Sequence, residues 1–273
     1  MPFDPLNVIV EILGQPAESM RSPISVEYQC PFMNSLCTKQ SHRIDGPYPL
    51  CTIIQGKKNP KNICVCPKRF YSIDIVADVI EHCWPGDPPS NPRLAYEVQM
   101  KKFGNVDFVI ADIDANNGSV KKFVSVELQA VDITGSVESA YTAVTNSEMM
   151  PKRPRYGINW ANVRKRFISQ LISKGFYHHH WESKMIAVVQ TSLYKKMKEY
   201  INFDEFDPKG DSNIVFMLYD YKLKDDGENG ELELVFDKAI GTSHSSLMTG
   251  SLYRRPPSVQ EFHSKIIQCI AGI

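Results

Sequence analysis

The chain has 273 residues, 42% of them hydrophobic, which is enough for one large domain or for a core domain with a smaller appendage. Its 31 basic and 31 acidic side chains leave a formal net charge of +0, so overall charge argues neither for nor against a polyanionic partner. The longest apolar runs, such as IVFMLY at 214–219, fall far short of the roughly 20 residues that cross a bilayer, and MPFDPLNVIVEILG lacks the basic start of a secretory signal, so a cytoplasmic protein with no membrane partner is expected.

Taken in order, residues 1–29 carry no clear element. Residues 30–69 are rich in Cys, Pro, Lys and Asn with little periodicity, as in a loop-rich knuckle held by a metal rather than by a core. Five of the seven cysteines, Cys30, Cys37, Cys51, Cys64 and Cys66, fall within 37 residues. In a cytosolic chain that clustering favours a metal site over disulfides. Four thiolates suit zinc or iron, and the spacing lacks paired CxxC hooks. Cys83 and Cys269, outside the cluster, read as small packed hydrophobes. YSIDIVADVIEHC (71–83) reads as a helix with Ser72 as its N-cap. PGDPPSNP (85–92) is a rigid connector, which divides the chain into an N-terminal module over 1–84 and a larger unit over 85–273.

A short helix is expected over 94–102. NVDFVIADI, the turn DANNGS and the run KKFVSVELQ then form a β-hairpin. SVESAYTAVTN (136–146) and WANVRKRFISQLISKG (160–175) read as helices, the second with Val163, Phe167, Leu171 and Ile172 on one stripe and Gly175 as its stop. KMIAVVQT is a short buried strand, SLYKKMKEYI a helix, NIVFMLYDYKL and ELELVFDKAI further strands, and PSVQEFHSKIIQCIAGI a closing helix. This order predicts an α/β (α+β) fold, a mixed central sheet flanked by helices, with the Cys-rich module at its N-terminal end.

Charge is unevenly spread. Residues 149–181 hold no Asp or Glu but carry Lys152, Arg153, Arg155, Arg164, Lys165, Arg166 and Lys174, whereas 204–237 set eleven acids against three lysines. Such segregation can put a positive field on one face of a neutral molecule, as a phosphate backbone requires, although a basic run can equally be a solvated helix face. PKRPRYGINW (151–160) mixes Arg, Tyr and Trp in a loop suited to a nucleic-acid groove, so Arg153, Arg155, Arg164 and Arg166 are the candidate DNA contacts. YHHHW (177–181) reads as an exposed loop, because three consecutive histidines cannot all face one ion in a regular element.

On the hairpin, Glu127 and Gln129 are two apart and share a face. If the register brings Asp107 opposite them, two carboxylates converge and a cation is their natural occupant. Oxygen ligands of this kind suit Mg²⁺, which can polarise a phosphodiester and acidify a bound water. An edge hairpin with polar residues facing water is the alternative.

The order Asp107, Glu127, Gln129 on a hairpin looks like the PD-(D/E)xK nuclease core, with Gln129 at the lysine position and Val106 at the proline position. Four segments in order resemble the NotI-type restriction endonucleases: CPFMNSLC with LCTI and CVCPKRF, then VDFVIADI, then VELQAVDITGS, then NVRKRFISQLISK. Together they span 30–174, and that family carries Gln where the wider superfamily has Lys. The resemblance implies a restriction-endonuclease-like core and a type II enzyme hydrolysing double-stranded DNA at a GC-rich palindrome as a homodimer. It also implies Mg²⁺ on Asp107 and Glu127, Gln129 orienting the attacking water, and one structural iron on Cys30, Cys37, Cys51 and Cys66, with Cys64 spare. Glu97 and Asp132 are weaker candidates for a further ligand. The rival readings are a non-catalytic metal-knuckle DNA-binding protein and a sequence-nonspecific nuclease of repair or phage metabolism.

Overall fold

The structure is a computed structural model that describes residues 2–21, 28–41, 44–101, 104–159, 162–225, 230–253 and 258–271. Where 1–29 carried no clear signal, a 3-10 turn at Pro5–Asn7 leads into strands β1 (Ile9–Ile12) and β2 (Gln15–Pro16). With β3 (Leu50–Gln55) and β4 (Lys61–Cys64) these form a four-stranded sheet in the order β2-β1-β3-β4. Ile9 pairs with Ile53, and both are buried with Leu50 and Ile63. The second half of the Cys-rich stretch is thus a strand pair with an apolar core. Flanking Pro, Lys and Asn dominate its composition and hide the β-branched run inside it.

A 3-10 turn, Pro67–Ser72, precedes α1 (Ile75–His82). The cap is Asp74, whose carboxylate accepts from the Ala77 amide at 3.0 Å, and not Ser72, whose hydroxyl accepts from Arg69 Nη1 at 2.6 Å. The helix lays Ile75 and Val79 on the main sheet, and Phe70, Cys83 and Trp84 pack in the same cluster as Phe108, Val126 and Val188. Each fully buried side chain of this size contributes about 1.5–3 kcal/mol.

The main sheet has six strands: β5 (Pro92–Gln99), β6 (Asn105–Ile113), β7 (Val120–Gln129), β8 (Lys184–Gln190), β9 (Ile214–Leu223) and β10 (Leu232–Thr242), in the order β10-β9-β8-β7-β6-β5. Pairing is parallel between β7 and β8 and between β8 and β9, and antiparallel elsewhere. The expected mixed sheet is present. Every residue of β8 is buried, as a central strand covered on both faces requires. Ile186, Val188, Val215 and Met217 face α1, while Met185, Ala187, Val189 and Phe216 face the other layer. That layer is α2 (Glu138–Thr145), α3 (Ile168–His180), α4 (Thr191–Tyr200) and α5 (His244–Leu252).

Four expectations are corrected. Of the stretch 94–102, expected as a helix, residues 94–99 belong to the edge strand β5, with Leu94 43% and Tyr96 60% exposed, and residue 102 lies outside the described residues. Backbone pairing to β6, with Leu94 opposite Ile110, holds it in place of a buried stripe. Gly175 does not stop α3, which runs on to His180 and takes the YHHHW histidines into its last turn. A Cβ at Gly175 would stand 2.6 Å from Ile214 Cδ1, so glycine serves close helix–strand packing here. Cys83 is buried as expected, but Cys269 is exposed on α6 (Val259–Ala271), a helix with no buried residue. No described helix is long and apolar enough to cross a membrane.

Candidate active site

The hairpin ladder ends at the pair Phe108 and Val126, and Asp107 and Glu127 are the next residues on the two strands. Val124, Val126 and Leu128 enter the α1-side core, so Glu127 and Gln129 share the opposite face, toward α3. Asp107 Oδ2 accepts from the Leu128 amide at 2.7 Å. Burial raises the Asp107 carboxyl above its ordinary range and the nearby Glu97 adds to this, while the Leu128 amide, Lys68 and Lys174 act the other way. Glu97 lies on β5 between the ladder pairs Val98/Val106 and Tyr96/Phe108, at φ +51°. A left-handed backbone at a non-glycine residue beside two carboxylates marks a local distortion of the edge.

Beside these carboxylates lies a cation that in sequence is one residue of the basic run. Lys174, on α3, is 2% exposed. Its Nζ donates to the Asn105 carbonyl at 2.7 Å and forms an ion pair with Glu127 Oε1. Burial lowers the Lys174 pKa, and Asp107 opposes that shift. The missed signal was spacing: Lys174 stands three residues past Leu171, on the buried stripe of its own helix.

Gln129 donates through Nε2 to the carbonyl of Ala130. It lines a cleft of about 250 Å³ with Asp132, Asn162, Arg166 and Gln170. Arg166 lies in a π-helical turn, Val163–Phe167, that leads into α3, and such turns are frequent at functional sites. Asp132 accepts from Asn162 Nδ2 there and so has a structural partner. A second cleft, about 600 Å³, gathers Lys57, Asn59, Lys61, Arg153 and Arg155. Arg153 stacks over Tyr156 and donates to the Gly56 carbonyl at 3.3 Å. The four candidate arginines are therefore divided, Arg153 and Arg155 in the basic cleft and Arg166 beside Gln129; the side chain of Arg164 is outside the described residues.

His178 is fully buried in the last turn of α3. Ser183 Oγ donates to the Phe123 carbonyl at 2.6 Å, so His178 Nδ1, 3.2 Å from that oxygen, is the donor to it. Burial, reinforced by Lys174, pushes the His178 pKa down to about 4, and the ring is neutral.

Cys51 and Cys64 are buried, and Cys30, Cys37 and Cys66 half-buried. Burial raises the Cys37 thiol, with Cys66 and Cys30 adding to it, and burial raises Cys51 with Cys66 adding. Lys39 lies among them, donating to the Leu50 carbonyl at 2.7 Å and the Val65 carbonyl at 2.8 Å. The four expected ligands are electrostatic neighbours. Among the described residues, however, no group of three or more His, Cys, Asp or Glu is placed to hold a metal ion, so as they stand the thiols do not close a ligand shell.

A family model described as restriction endonuclease NotI matches residues 17–232, well over half of the chain and including every residue discussed for the site. A comparison with curated proteins finds no match.

Proposed function

The chain belongs to the NotI restriction endonuclease family and is a type II site-specific deoxyribonuclease acting on DNA, and from that premise we propose that Asp107 and Glu127 hold its catalytic Mg²⁺. The observation that supports the proposal is that Asp107 and Glu127 follow the last pair of the hairpin ladder and share Lys174 as a neighbouring cation, with the Leu128 amide holding one Asp107 oxygen. Two adjacent, half-buried carboxylates are a donor set that fits a hard divalent ion. When bound, that ion would acidify a water and offset phosphate charge. The protein's own part is orientation: the Leu128 amide fixes Asp107, Lys174 holds Glu127 by one oxygen, and Gln129 turns a water within the cleft it shares with Arg166.

Double-stranded DNA would be contacted by the basic residues of the two clefts. Arg166 stands beside the chemistry, and Arg153 and Arg155 with Lys57 and Lys61 make the second contact area. A homodimer on a GC-rich palindrome, a cytoplasmic setting, a PD-(D/E)xK ancestry for the core and a boundary near residue 84 between module and core complete the proposal. A structural iron or zinc on Cys30, Cys37, Cys51 and Cys66 rests on the clustering of those cysteines and on their mutual electrostatic influence. Elemental analysis of the purified protein tests it, with one metal per chain expected and lost in Cys66→Ser.

The family assignment removes the non-catalytic alternative. The functional test is digestion of genomic and phage DNA with Mg²⁺, followed by mapping of fragment ends. Discrete fragments sharing one palindromic end sequence are expected, whereas a smear would favour the sequence-nonspecific nuclease.

A further inference from the structure

We propose that Lys174 is the positioning cation of this active site, delivering from α3 the positive charge that Gln129, on the strand, cannot carry. The inference rests on the reading of Asp107 and Glu127 as the ion-holding pair. It starts from a conflict of charge. Asp107, Glu127 and the neighbouring Glu97 place carboxylates where an anionic phosphodiester must arrive, and Gln129 is neutral, its amide turned to the Ala130 carbonyl. Lys174 is the most deeply buried of the two lysines that act on Asp107, since Lys68 is half-exposed and lies over the Tyr71 ring.

A buried ammonium is costly unless its partners are in place, and a Leu or Met would suit the Val163, Phe167, Leu171 stripe better. Here both partners are supplied by the strands that carry the site. The Nζ group joins the Asn105 carbonyl, two residues before Asp107, to the carboxylate of Glu127. Lys174 thereby ties the start of β6 to β7 and takes up one Glu127 oxygen. It also lowers the net negative charge that substrate must approach. The charge comes from the helix because the strand position next to Glu127 on the same face is occupied by an amide. Lys174 acts through Glu127 and does not itself touch the reacting atoms.

The experiment uses the full chain and four variants: Lys174→Gln, Lys174→Arg, Gln129→Lys and Gln129→Lys with Lys174→Gln. For each, thermal stability, DNA binding without divalent ion, and cleavage rate as a function of Mg²⁺ concentration and pH are measured. Lys174→Gln is expected to fold, to bind DNA within a few-fold of wild type, and to cut on the order of 100-fold more slowly, with a shifted Mg²⁺ dependence. Lys174→Arg should keep most of the rate. The double variant should regain about tenfold over Lys174→Gln, because a lysine at 129 restores charge beside Glu127 without restoring the Asn105 contact. A merely structural lysine would change stability and leave the Mg²⁺ dependence where it was, and the strand lysine would rescue nothing. If Lys174→Gln fails to fold, the double variant decides: folded and cutting supports the proposal, folded and inactive overturns it. Lys174→Gln cutting at the wild-type rate, while Glu127→Ala does not cut, overturns it and leaves the Asp107/Glu127 reading standing. Glu127→Ala cutting normally would instead bring down that reading and the proposal with it.

Discussion

Asp107 and Leu128 are joined across the hairpin by one hydrogen bond, 2.7 Å from the Leu128 amide to Asp107 Oδ2, and that bond fixes where the first carboxylate points. An asparagine can accept the same bond while losing the charge. Asp107→Asn should therefore keep stability within about 1 kcal/mol of wild type, while cleavage falls by on the order of a thousandfold or more if the carboxylate holds the ion. Gel-shift and cleavage assays on one duplex, with and without Mg²⁺, check both halves. DNA binding without divalent ion should survive or tighten, since one charge facing the phosphate is gone.

Arg69 and Glu11 form a buried two-pronged ion pair, Nε to Oε2 and Nη2 to Oε1 both at 3.0 Å, with Nη2 also donating to the Leu232 carbonyl at 2.8 Å. It links β1 to the turn before α1 and to β10. Glu11→Ala would strand a guanidinium in the interior, so denaturant unfolding should show a loss of about 3–5 kcal/mol. Replacing both residues with apolar ones of similar size should cost much less.

His178 makes stability depend on pH. In the folded protein it takes a proton only near pH 4, against 6.5 for an ordinary histidine. Between those values the unfolded chain binds the proton and the folded one does not, so stability is lost as pH falls from 6.5 to 4 and is flat on either side. The contribution is on the order of 3 kcal/mol. Urea titrations across this window should show a shallower decline for His178→Gln than for wild type.

Gly175 lies where α3 crosses β9, so Gly175→Ala should destabilise by about 1–3 kcal/mol through the forced displacement of Ile214. Were it an uncrowded position inside the helix, alanine would be neutral or better. Adding Ile214→Val should recover part of the loss, as a double-mutant cycle of thermal or denaturant midpoints would show.

Local period made much of this architecture legible. The alternation in 105–113 and 120–129 marked the hairpin, the run at 184–190 marked a strand buried on both faces, and Val163, Phe167 and Leu171 marked the inner side of α3. The pair Glu127 and Gln129 stood out for the same reason: a carboxylate and an amide in a β-prone run are visible within ten residues. Partners distant in sequence were not visible. Residues 92–99 are a strand only because β6 offers its edge, a pairing that no window around Leu94 contains. The division of Arg153 and Arg155 from Arg166 depends on where β3, β4 and α3 come to rest. Lys174 reads in sequence as one basic residue among seven, and it becomes the partner of Glu127, forty-seven positions earlier, only when the sheet and α3 are packed together. Side-chain type and spacing settle which face an element buries, because that is decided within a few turns of chain. Which charges meet across the buried face is decided by nonlocal packing, and only the tertiary structure supplies it.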